Sequence, residues 1–296
     1  MKKHAVAVII SACLWGFMGL FRRYIGDAGV SSAGVIMVRC GLAALMFGLT
    51  LLATDVKQFL VKPKDLWCFI GSGIVSLLFF TFCYFQAMSL MSLSAAAILL
   101  YIAPSVVMLL SLIIFKEKLN APKLIALVLA FLGCALVSGL GAGKMSFTAL
   151  GLLYGLCAGV GYALYSIFAR LALDRGYSSN TINFYSCLLA AAGAAIIWGP
   201  AETVGIMFSS WSNLLLCVLC AFITCYLPYL LYTYGLTGIE PGRASIMASV
   251  EPVVATLVGF FLFHEKMTLL SALGVLLVLS SVVILNLKNK KADVQL

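Results

Sequence analysis

The sequence predicts an all-α integral membrane protein of ten transmembrane helices arranged as two inverted five-helix repeats. An apolar composition, ten apolar runs of spanning length and an internal repeat support this fold class. Of the 296 residues, 64% are hydrophobic and only 10% are charged, whereas soluble domains carry about 25% charged residues. These proportions exclude a soluble enzyme and a disordered chain, and they make the lipid bilayer the expected surroundings of most of the chain.

Ten apolar runs bounded by charged or turn residues each predict one transmembrane helix. A segment that faces lipid must satisfy its backbone hydrogen bonds internally, which a helix does. The length of each run is close to the ~20 residues that cross the hydrocarbon core. The predicted spans cover residues 5–21, 33–53, 66–87, 93–114, 121–140, 148–169, 181–199, 211–234, 242–262 and 268–287.

An internal repeat divides the chain into two similar halves separated by a shift of about 148 residues. SAAAILLYIAPSVVMLLSLIIFKEKLN from Ser94 aligns with GRASIMASVEPVVATLVGFFLFHEKMT from Gly242. The alignment pairs Pro104 with Pro252, Phe115 with Phe263, Glu117 with Glu265 and Lys118 with Lys266. Each half contains five predicted spans, and an odd number inverts the second half relative to the first, as in many secondary transporters. We therefore predict one unit at 1–145 and an inverted one at 146–296.

The basic residues predict the orientation in the membrane and argue against a nucleic-acid partner. The formal charge is +9, but the cations lie in short loops between apolar runs, without a basic face that carries stacking aromatics. With the N-terminus inside, fourteen Lys and Arg lie in cytoplasmic segments, and four, among them Lys144 and Lys266, lie in outer segments. An even number of spans then places both termini in the cytoplasm of a multi-pass cell-membrane protein.

Arg39 and Glu251 are the ionisable residues placed clearly inside predicted spans. A charge there costs at least ~2.5–3.5 kcal/mol on insertion scales, so each must face a partner, water or cargo. One interpretation is structural: a static Arg39–Glu251 ion pair, or an Arg39 side chain that reaches the outer surface. The functional interpretation is that Glu251 binds a substrate amine or a coupling proton.

Two prolines interrupt predicted spans at equivalent positions of the two halves. Pro104 and Pro252 each lack a backbone N–H, so the carbonyls of Leu100 and Ala248 lose their usual helical partner. Broken helices at matching mid-span positions are typical of transport sites. A kink that only shapes the bundle is the alternative.

Aromatic residues inside the spans are further candidates for the site. Trp15, Tyr101 and Tyr162 lie in mid-span, where a buried Trp or Tyr needs a partner for its N–H or O–H. Tyr84 and Tyr232 lie nearer the span ends, so a belt at the membrane interface is an alternative to binding. Aromatic rings around one carboxylate would suit a cationic or amphipathic cargo.

The repeated motifs resemble the EamA branch of the drug/metabolite transporter superfamily over almost the whole chain. The resemblance rests on an aromatic residue in the first span, Arg39, Tyr84-x-x-Ala87, Pro104 followed by K-E-K-L, Tyr232-x-x-Gly235, Glu251-Pro252 and H-E-K-M. It implies ten helices and cargoes that range from amino acids to nucleosides and organic cations. Lys116 and His264 depart from the pattern, because the family usually has Gly before the loop Glu. The turn geometry at these two loops is therefore open.

We expect a secondary-active transporter that moves a small polar metabolite by alternating access, with efflux of amino acids or related metabolites favoured by the resemblance. The alternative is an organic-cation carrier with an aromatic cage around Glu251. We expect no enzyme, because the chain offers only two histidines and no nucleophile–base set. We also expect no cofactor and no metal, since the Cys217-x-x-Cys220 pair has no second pair to complete a zinc site. Substrate identity, transport direction, coupling ion and oligomeric state stay open, with a proton as one candidate coupling ion.

Overall fold

The computed structural model describes residues 2–140, 148–264 and 267–287, and in these ranges the chain is helical apart from short connections. Lys144, Glu265 and Lys266 lie outside the described residues. The helices are α1 (Lys2–Gly16), α2 (Met18–Asp27), α3 (Ser32–Thr54), α4 (Leu66–Ile70), α5 (Phe79–Leu90), α6 (Leu93–Leu100), α7 (Ala103–Ile114), α8 (Ala121–Val137), α9 (Ala149–Asp174), α10 (Ser179–Trp198), α11 (Ala201–Met207), α12 (Trp211–Ala221), α13 (Leu227–Leu236), α14 (Pro241–Ala248), α15 (Glu251–Phe263) and α16 (Leu269–Leu287). Two π-helical segments, Gly71–Leu78 and Phe222–Tyr226, join α4 to α5 and α12 to α13.

In the described part of the chain, eight helical segments are long and apolar enough to cross a membrane. They are Lys2–Asp27, Ala33–Thr54, Pro63–Leu90, Ala95–Ile114, Ala149–Asp174, Ser179–Trp198, Trp211–Leu236 and Pro241–Phe263. The two remaining apolar runs form shorter helices, Ala121–Val137 and Leu269–Leu285. The described chain is thus all-helical, and the eight segments coincide with eight of the predicted spans.

Polar N-cap residues start many of these helices. Each accepts a hydrogen bond on its side chain from the backbone N–H three residues further along, which satisfies one of the free donors of a helix start. These residues are Ser31, Ser92, Asn120, Thr148, Ser178 and Ser210. The local sequence therefore specifies where the spans begin.

Two of the spanning segments are interrupted near their middle. Only two residues separate α6 from α7, and two separate α14 from α15. Pro104 and Pro252 each occupy the second position of the helix that follows the break, where a missing N–H leaves no helical bond unmade. Residues 101–102 and 249–250 consequently connect short helices in the interior of the bundle.

Helices of the first half pack mainly against helices of the second. Contacts of this kind join α8 to α16, α3 to α10, α5 to α9, α1 to α13, α6 to α9 and α7 to α14. The α8–α16 pair crosses closely at Gly133 and Gly274, where a Cβ on either glycine would lie 2.7 Å from the carbonyl oxygen of the other. Small residues allow this approach of two backbones.

α1 begins and α16 ends at the same end of the bundle, which we call the terminal end. His4 Nδ1 hydrogen-bonds the carbonyl oxygen of Tyr234 near the end of α13, at 3.1 Å. Arg243, at the start of α14, donates from Nη2 to the carbonyl oxygen of Leu285 at 3.0 Å. Because α14 follows α13 directly, both contacts lie at one end, and the other is called the opposite end.

The turns after α7 and α15 keep a left-handed residue at the two positions where the sequence departs from the family pattern. Lys116 has φ 53° and His264 has φ 54°, and both residues are exposed. The turn after α7 is closed by the backbone N–H of Glu117, which donates to the carbonyl oxygen of Ser111 at 3.2 Å. The backbone therefore adopts a conformation that suits glycine, although neither residue is glycine.

Replacing His264 with glycine is expected to stabilise the protein by about 1 kcal/mol, because glycine adopts a positive φ without the clash of a Cβ atom. The unfolding midpoint of the purified protein in detergent measures the effect. His264→Ala is the matched control, since it removes the same side chain but keeps Cβ. An equal gain in His264→Ala would show that backbone strain is not the cause.

Candidate functional site

Two neighbouring cavities lie in the interior of the bundle, between the two halves. The wider one has a volume of about 250 Å³, and the narrower one has a volume of about 30 Å³. The wall that the two cavities share consists of Trp15, Phe80, Tyr162 and Tyr229. Since Trp15 and Phe80 belong to the first half and the tyrosines to the second, both halves shape the space.

The wider cavity extends from the helix breaks toward the opposite end. Tyr101 and Glu251 line it at the breaks, while Gly19 and Arg22 of α2 and Val35 of α3 line it nearer the opposite end. The Arg22 guanidinium also contacts the Met88 sulfur at 3.8 Å. A polar solute entering from the opposite end would therefore meet a cation before it reaches the interior.

Arg39 lies on α3 and lines the wider cavity. Its Nη2 donates to the carbonyl oxygen of Thr224 at 2.7 Å, an oxygen in the π-helical segment between α12 and α13. Its Nε atom is buried and has no hydrogen-bond partner among the described residues. A guanidinium has five donors in a fixed fork, so Arg39 keeps donor capacity for an anionic group.

Glu251 is the first residue of α15 and lines the same cavity. Its Oε2 accepts a hydrogen bond from the hydroxyl of Tyr162 at 3.0 Å. The free N–H groups and the dipole of a helix start favour a carboxylate at this position. The hydrogen bond from Tyr162 thereby fixes the orientation of the acid.

Arg39 and Glu251 face the same cavity but do not form an ion pair. Within the described residues, each has a different hydrogen-bond partner, and no carboxylate oxygen of Glu251 lies within 4.0 Å of the Arg39 guanidinium. The static pair considered from the sequence is absent from this conformation. The cavity thus carries a guanidinium and a carboxyl group on its wall.

An aromatic cluster surrounds the narrower cavity. The Trp15 ring lies 5.2 Å from the ring of Tyr229 and 5.3 Å from that of Tyr232, and Tyr165 lies 4.8 Å from Tyr229. The hydroxyl of Tyr232 pairs with that of Ser166 at 2.8 Å. These distances are typical of edge and tilted aromatic packing, so the wall is rigid and largely apolar.

The structure brings most of the candidate residues to these two cavities. Tyr84 and Tyr101 line the wider cavity, and Pro104 and Tyr232 line the narrower one. Tyr84 and Tyr101 are half-buried, whereas Tyr232 is buried. Pro252 is buried beside Glu251 and lines neither of the two.

Sequence reasoning missed Tyr229, which contacts more of this wall than Tyr232 does. The two tyrosines are three residues apart on α13, so they share a helix face, and Tyr229 lines both cavities. The sequence signal that could have identified Tyr229 is its position three residues before Tyr232, closer to the middle of the span. Phe80 has the same relation to Tyr84, four residues earlier on α5.

A group of buried thiols lies next to Arg39. The sulfur atoms of Cys40, Cys187 and Cys225 lie within 4.8 Å of one another, on α3, on α10 and in the second π-helical segment. Three thiolates could ligate a soft metal ion, but no fourth His, Cys, Asp or Glu joins them in the described ranges, as a tetrahedral zinc site would require. The Cys217-x-x-Cys220 pair is not part of this group.

Comparison with known proteins relates both halves of the chain to transporters. The model of the EamA-like transporter family matches residues 2–139 and again residues 149–287. An "Uncharacterized transporter" of Archaeoglobus fulgidus is 27% identical over 292 residues, covering 96% of each chain. The "Uncharacterized inner membrane transporter YicL" of Salmonella typhimurium is 23% identical over 296 residues and covers 98% of this chain and 97% of its own.

A solved crystal structure shares the fold along the whole length. Its TM-score is 0.82 at 18% identity, and the match covers 99% of both chains. At this identity the likeness concerns the fold alone. Since the family model matches nearly the whole chain, in two consecutive copies, the protein belongs to the EamA-like transporter family and is a multi-pass membrane transporter.

Proposed function

We propose that the protein is a secondary-active transporter that carries a small zwitterionic metabolite, most simply an amino acid, by alternating access. One observation carries this proposal: a cavity between the two halves has Arg39 and Glu251 on a mostly aromatic wall, and neither forms an ion pair with another described residue. A zwitterion has a carboxylate for the first group and an ammonium for the second. Opposite charges placed apart in a low-dielectric cavity favour such a ligand over an ion of one sign.

We further infer that the fold consists of two inverted five-helix units, at 1–145 and 146–296. Three features support this. The repeat aligns α1 with α9 and α5 with α13. The contact between α1 and α13 therefore corresponds to the contact between α9 and α5, and both are present. Lys116 and His264, which the repeat aligns, share the same unusual backbone conformation. The family model matches the chain twice. Such repeats allow one substrate site to face either side of a membrane in turn.

The terminal end is inferred to face the cytoplasm, with both termini inside the cell. The excess of Lys and Arg near this end supports that orientation. The wider cavity then faces outward in this conformation. A proton is the coupling ion that the site supports best, because Glu251 is an acid that lines the cavity.

An organic-cation carrier is the second candidate. The observation that favours it is an aromatic cluster beside the cavity that Glu251 lines: the rings of Trp15 and Tyr165 each lie 4.8–6.3 Å from those of Tyr229 and Tyr232. Aromatic faces around a carboxylate attract quaternary ammonium groups. Arg39 distinguishes the amino-acid transporter from the organic-cation carrier, because a guanidinium binds the carboxylate of an amino acid but repels a cation.

Thermal-shift measurements on the purified protein test the proposal. A neutral amino acid at about 100 times its dissociation constant should raise the apparent stability by ~2.7 kcal/mol, whereas the corresponding amine should raise it less. Trp15→Ala and Tyr101→Ala should each weaken this binding more than they weaken folding. Tyr154→Ala is the matched control, because Tyr154 packs on Phe82 and against a separate buried cluster, and it lines neither cavity.

A panel in which amines shift stability and amino acids do not would favour the organic-cation carrier. Normal binding by Trp15→Ala and Tyr101→Ala, together with loss of binding in Tyr154→Ala, would place the site on another wall of the bundle.

A further inference from the structure

Lys123 is a buried cation at the terminal end, away from the two cavities. Its side chain is only 6% exposed, although it lies in the first turn of α8. Its Nζ lies 2.5 Å from Oε2 of Glu240 and 3.4 Å from Oε2 of Glu117, and it also donates to the carbonyl oxygen of Lys118 at 3.0 Å. Glu117, Lys123 and Glu240 are called the Lys123 cluster below.

The Lys123 cluster connects the two halves of the chain. Glu117 follows α7 and Lys123 begins α8, whereas Glu240 directly precedes α14. Glu117 also reaches α14 by itself, since its Oε1 accepts a hydrogen bond from the backbone N–H of Gly242 at 3.5 Å. Because α7 and α14 pack against each other, the cluster spans the seam where the two halves meet at this end.

The two acids depend on Lys123 for compensation of their charge. Burial raises the pKa of the Glu117 carboxyl above its ordinary value, and Lys123 opposes that rise. Glu240 is about half exposed, whereas Glu117 is as buried as Lys123. Removing one partner from a buried charged group leaves the others uncompensated, which is costly. Arg243 at the start of α14 also interacts electrostatically with both acids, but among the described residues Lys123 is the cation in direct contact with both carboxylates.

The repeat does not preserve the whole Lys123 cluster at the opposite end: Glu117 aligns with Glu265, which lies outside the described residues, but the other two members are replaced. The repeat aligns Lys123 with Ser271 and Glu240 with Ser92. Serine hydroxyls carry no charge, and these two have local roles: Ser92 caps α6, and Ser271 pairs with Thr268 at 2.9 Å. At these two aligned positions, the opposite end therefore lacks the charged side chains that form the bridge at the terminal end.

We propose that Lys123 is a gating residue: its bridge between Glu117 and Glu240 holds the terminal end of the transport pathway closed and must release before cargo can leave or enter there. The inference rests on the proposed alternating access. It assigns the conformation with the wider cavity open to the opposite end as the one that the Lys123 cluster stabilises. Ser271 and Ser92 cannot form such a bridge at the opposite end. The conformation open to the opposite end and the one open to the terminal end therefore differ in energy.

Accessibility of a buried position near the terminal end tests the gate without any substrate. Ser245 on α14 is buried and lines the narrower cavity, so Ser245→Cys reports opening from that end. Gly19 on α2 lines the wider cavity, and a Cβ there meets nothing within 4 Å, so Gly19→Cys reports the opposite end. Each is placed in a chain whose native cysteines are replaced, and a membrane-impermeant maleimide is applied to vesicles of both orientations.

Lys123→Met should increase the labelling rate of Ser245→Cys from the terminal end at least ~tenfold, by shifting the population toward the open form. Labelling of Gly19→Cys from the opposite end should slow in the same variant. Lys123→Arg is the matched control, because it keeps the charge and should leave both rates near the starting values. Glu240→Gln leaves the buried Glu117–Lys123 pair in place and should give a smaller increase at Ser245→Cys, so it serves if Lys123→Met does not fold.

Unchanged labelling of Ser245→Cys in folded Lys123→Met and Glu240→Gln would overturn the gate while leaving the transporter proposal intact. Faster labelling at both ends together would also overturn it, since the cluster would then only stabilise the bundle. Failure of the transporter proposal is judged separately, by the absence of any ligand that stabilises the protein.

Discussion

Replacing Glu251 with glutamine should lower transport by at least ~30-fold, which corresponds to about 2 kcal/mol for the loss of one partner of a buried charged contact. The change should leave insertion and stability nearly intact. Glutamine has the same shape and can still accept the hydrogen bond from Tyr162. No ion pair with Arg39 is broken, because the two groups are not paired in this conformation. Wild-type transport should depend on pH if Glu251 takes up a proton in the cycle.

Transport into proteoliposomes and the unfolding midpoint in detergent measure these two effects separately. Glu202→Gln is the matched control, since Glu202 is exposed on α11 and the same substitution there should alter neither quantity. A Glu251→Gln protein that is markedly destabilised, and that Arg39→Gln restores in the double variant, would indicate a structural pair instead. A stable and fully active Glu251→Gln protein would contradict both accounts and place the site elsewhere.

Replacing Arg39 with glutamine should reduce affinity for an amino acid by at least ~tenfold, because a hydrogen bond to a charged group contributes about 1.5–3 kcal/mol. The amine that lacks the carboxylate should bind the variant and the wild type nearly equally. The reason is that Arg39 has a buried Nε donor with no partner in the described structure, which suits an anionic group of the cargo. Glu251→Gln should weaken binding of both ligands.

The ratio of the two affinities within each variant is the measurement, so a general loss of stability cancels. Arg23→Gln is the matched control, since Arg23 stacks on Phe263 at 4.4 Å and does not line the wider cavity. Equal loss of amine and amino-acid binding in Arg39→Gln would mean that Arg39 only maintains the cavity, through its bond to Thr224. Unchanged binding of both would favour the organic-cation carrier.

The parts of the structure that depend on composition and local pattern were predictable from the sequence. The apolar runs located the spans, and the cost of a charge in lipid singled out Arg39 and Glu251 before any geometry was known. Pairwise geometry was not predictable in the same way. Whether Arg39 contacts Glu251 or the carbonyl oxygen of Thr224 depends on how α3 packs against the π-helical segment, and that packing has no signature in a single sequence.

Contacts between distant segments account for the residues that were missed. The Lys123 cluster joins positions more than a hundred residues apart, and Lys123 alone appears in the sequence as one of many loop cations. The Cys40, Cys187 and Cys225 sulfurs meet from three separate elements, without any short motif. Tyr229 is intermediate, because helical spacing placed it on the face of Tyr232, but only the packing of α13 against α1 directs that face toward the cavities.

The breaks in the two interrupted spans have a mechanical consequence. An unbroken helix behaves as one rod, so a displacement of one end would be carried across the bilayer to the other. α7 and α14 are instead short levers, each joined by two residues to α6 or α15, and both carry or adjoin members of the Lys123 cluster. Tyr101 and Glu251 lie at the two pivots and line the wider cavity. A cargo that touches both pivots would therefore favour one angle of these short helices over another, and its differential affinity would shift the balance between the two conformations that the Lys123 cluster sets.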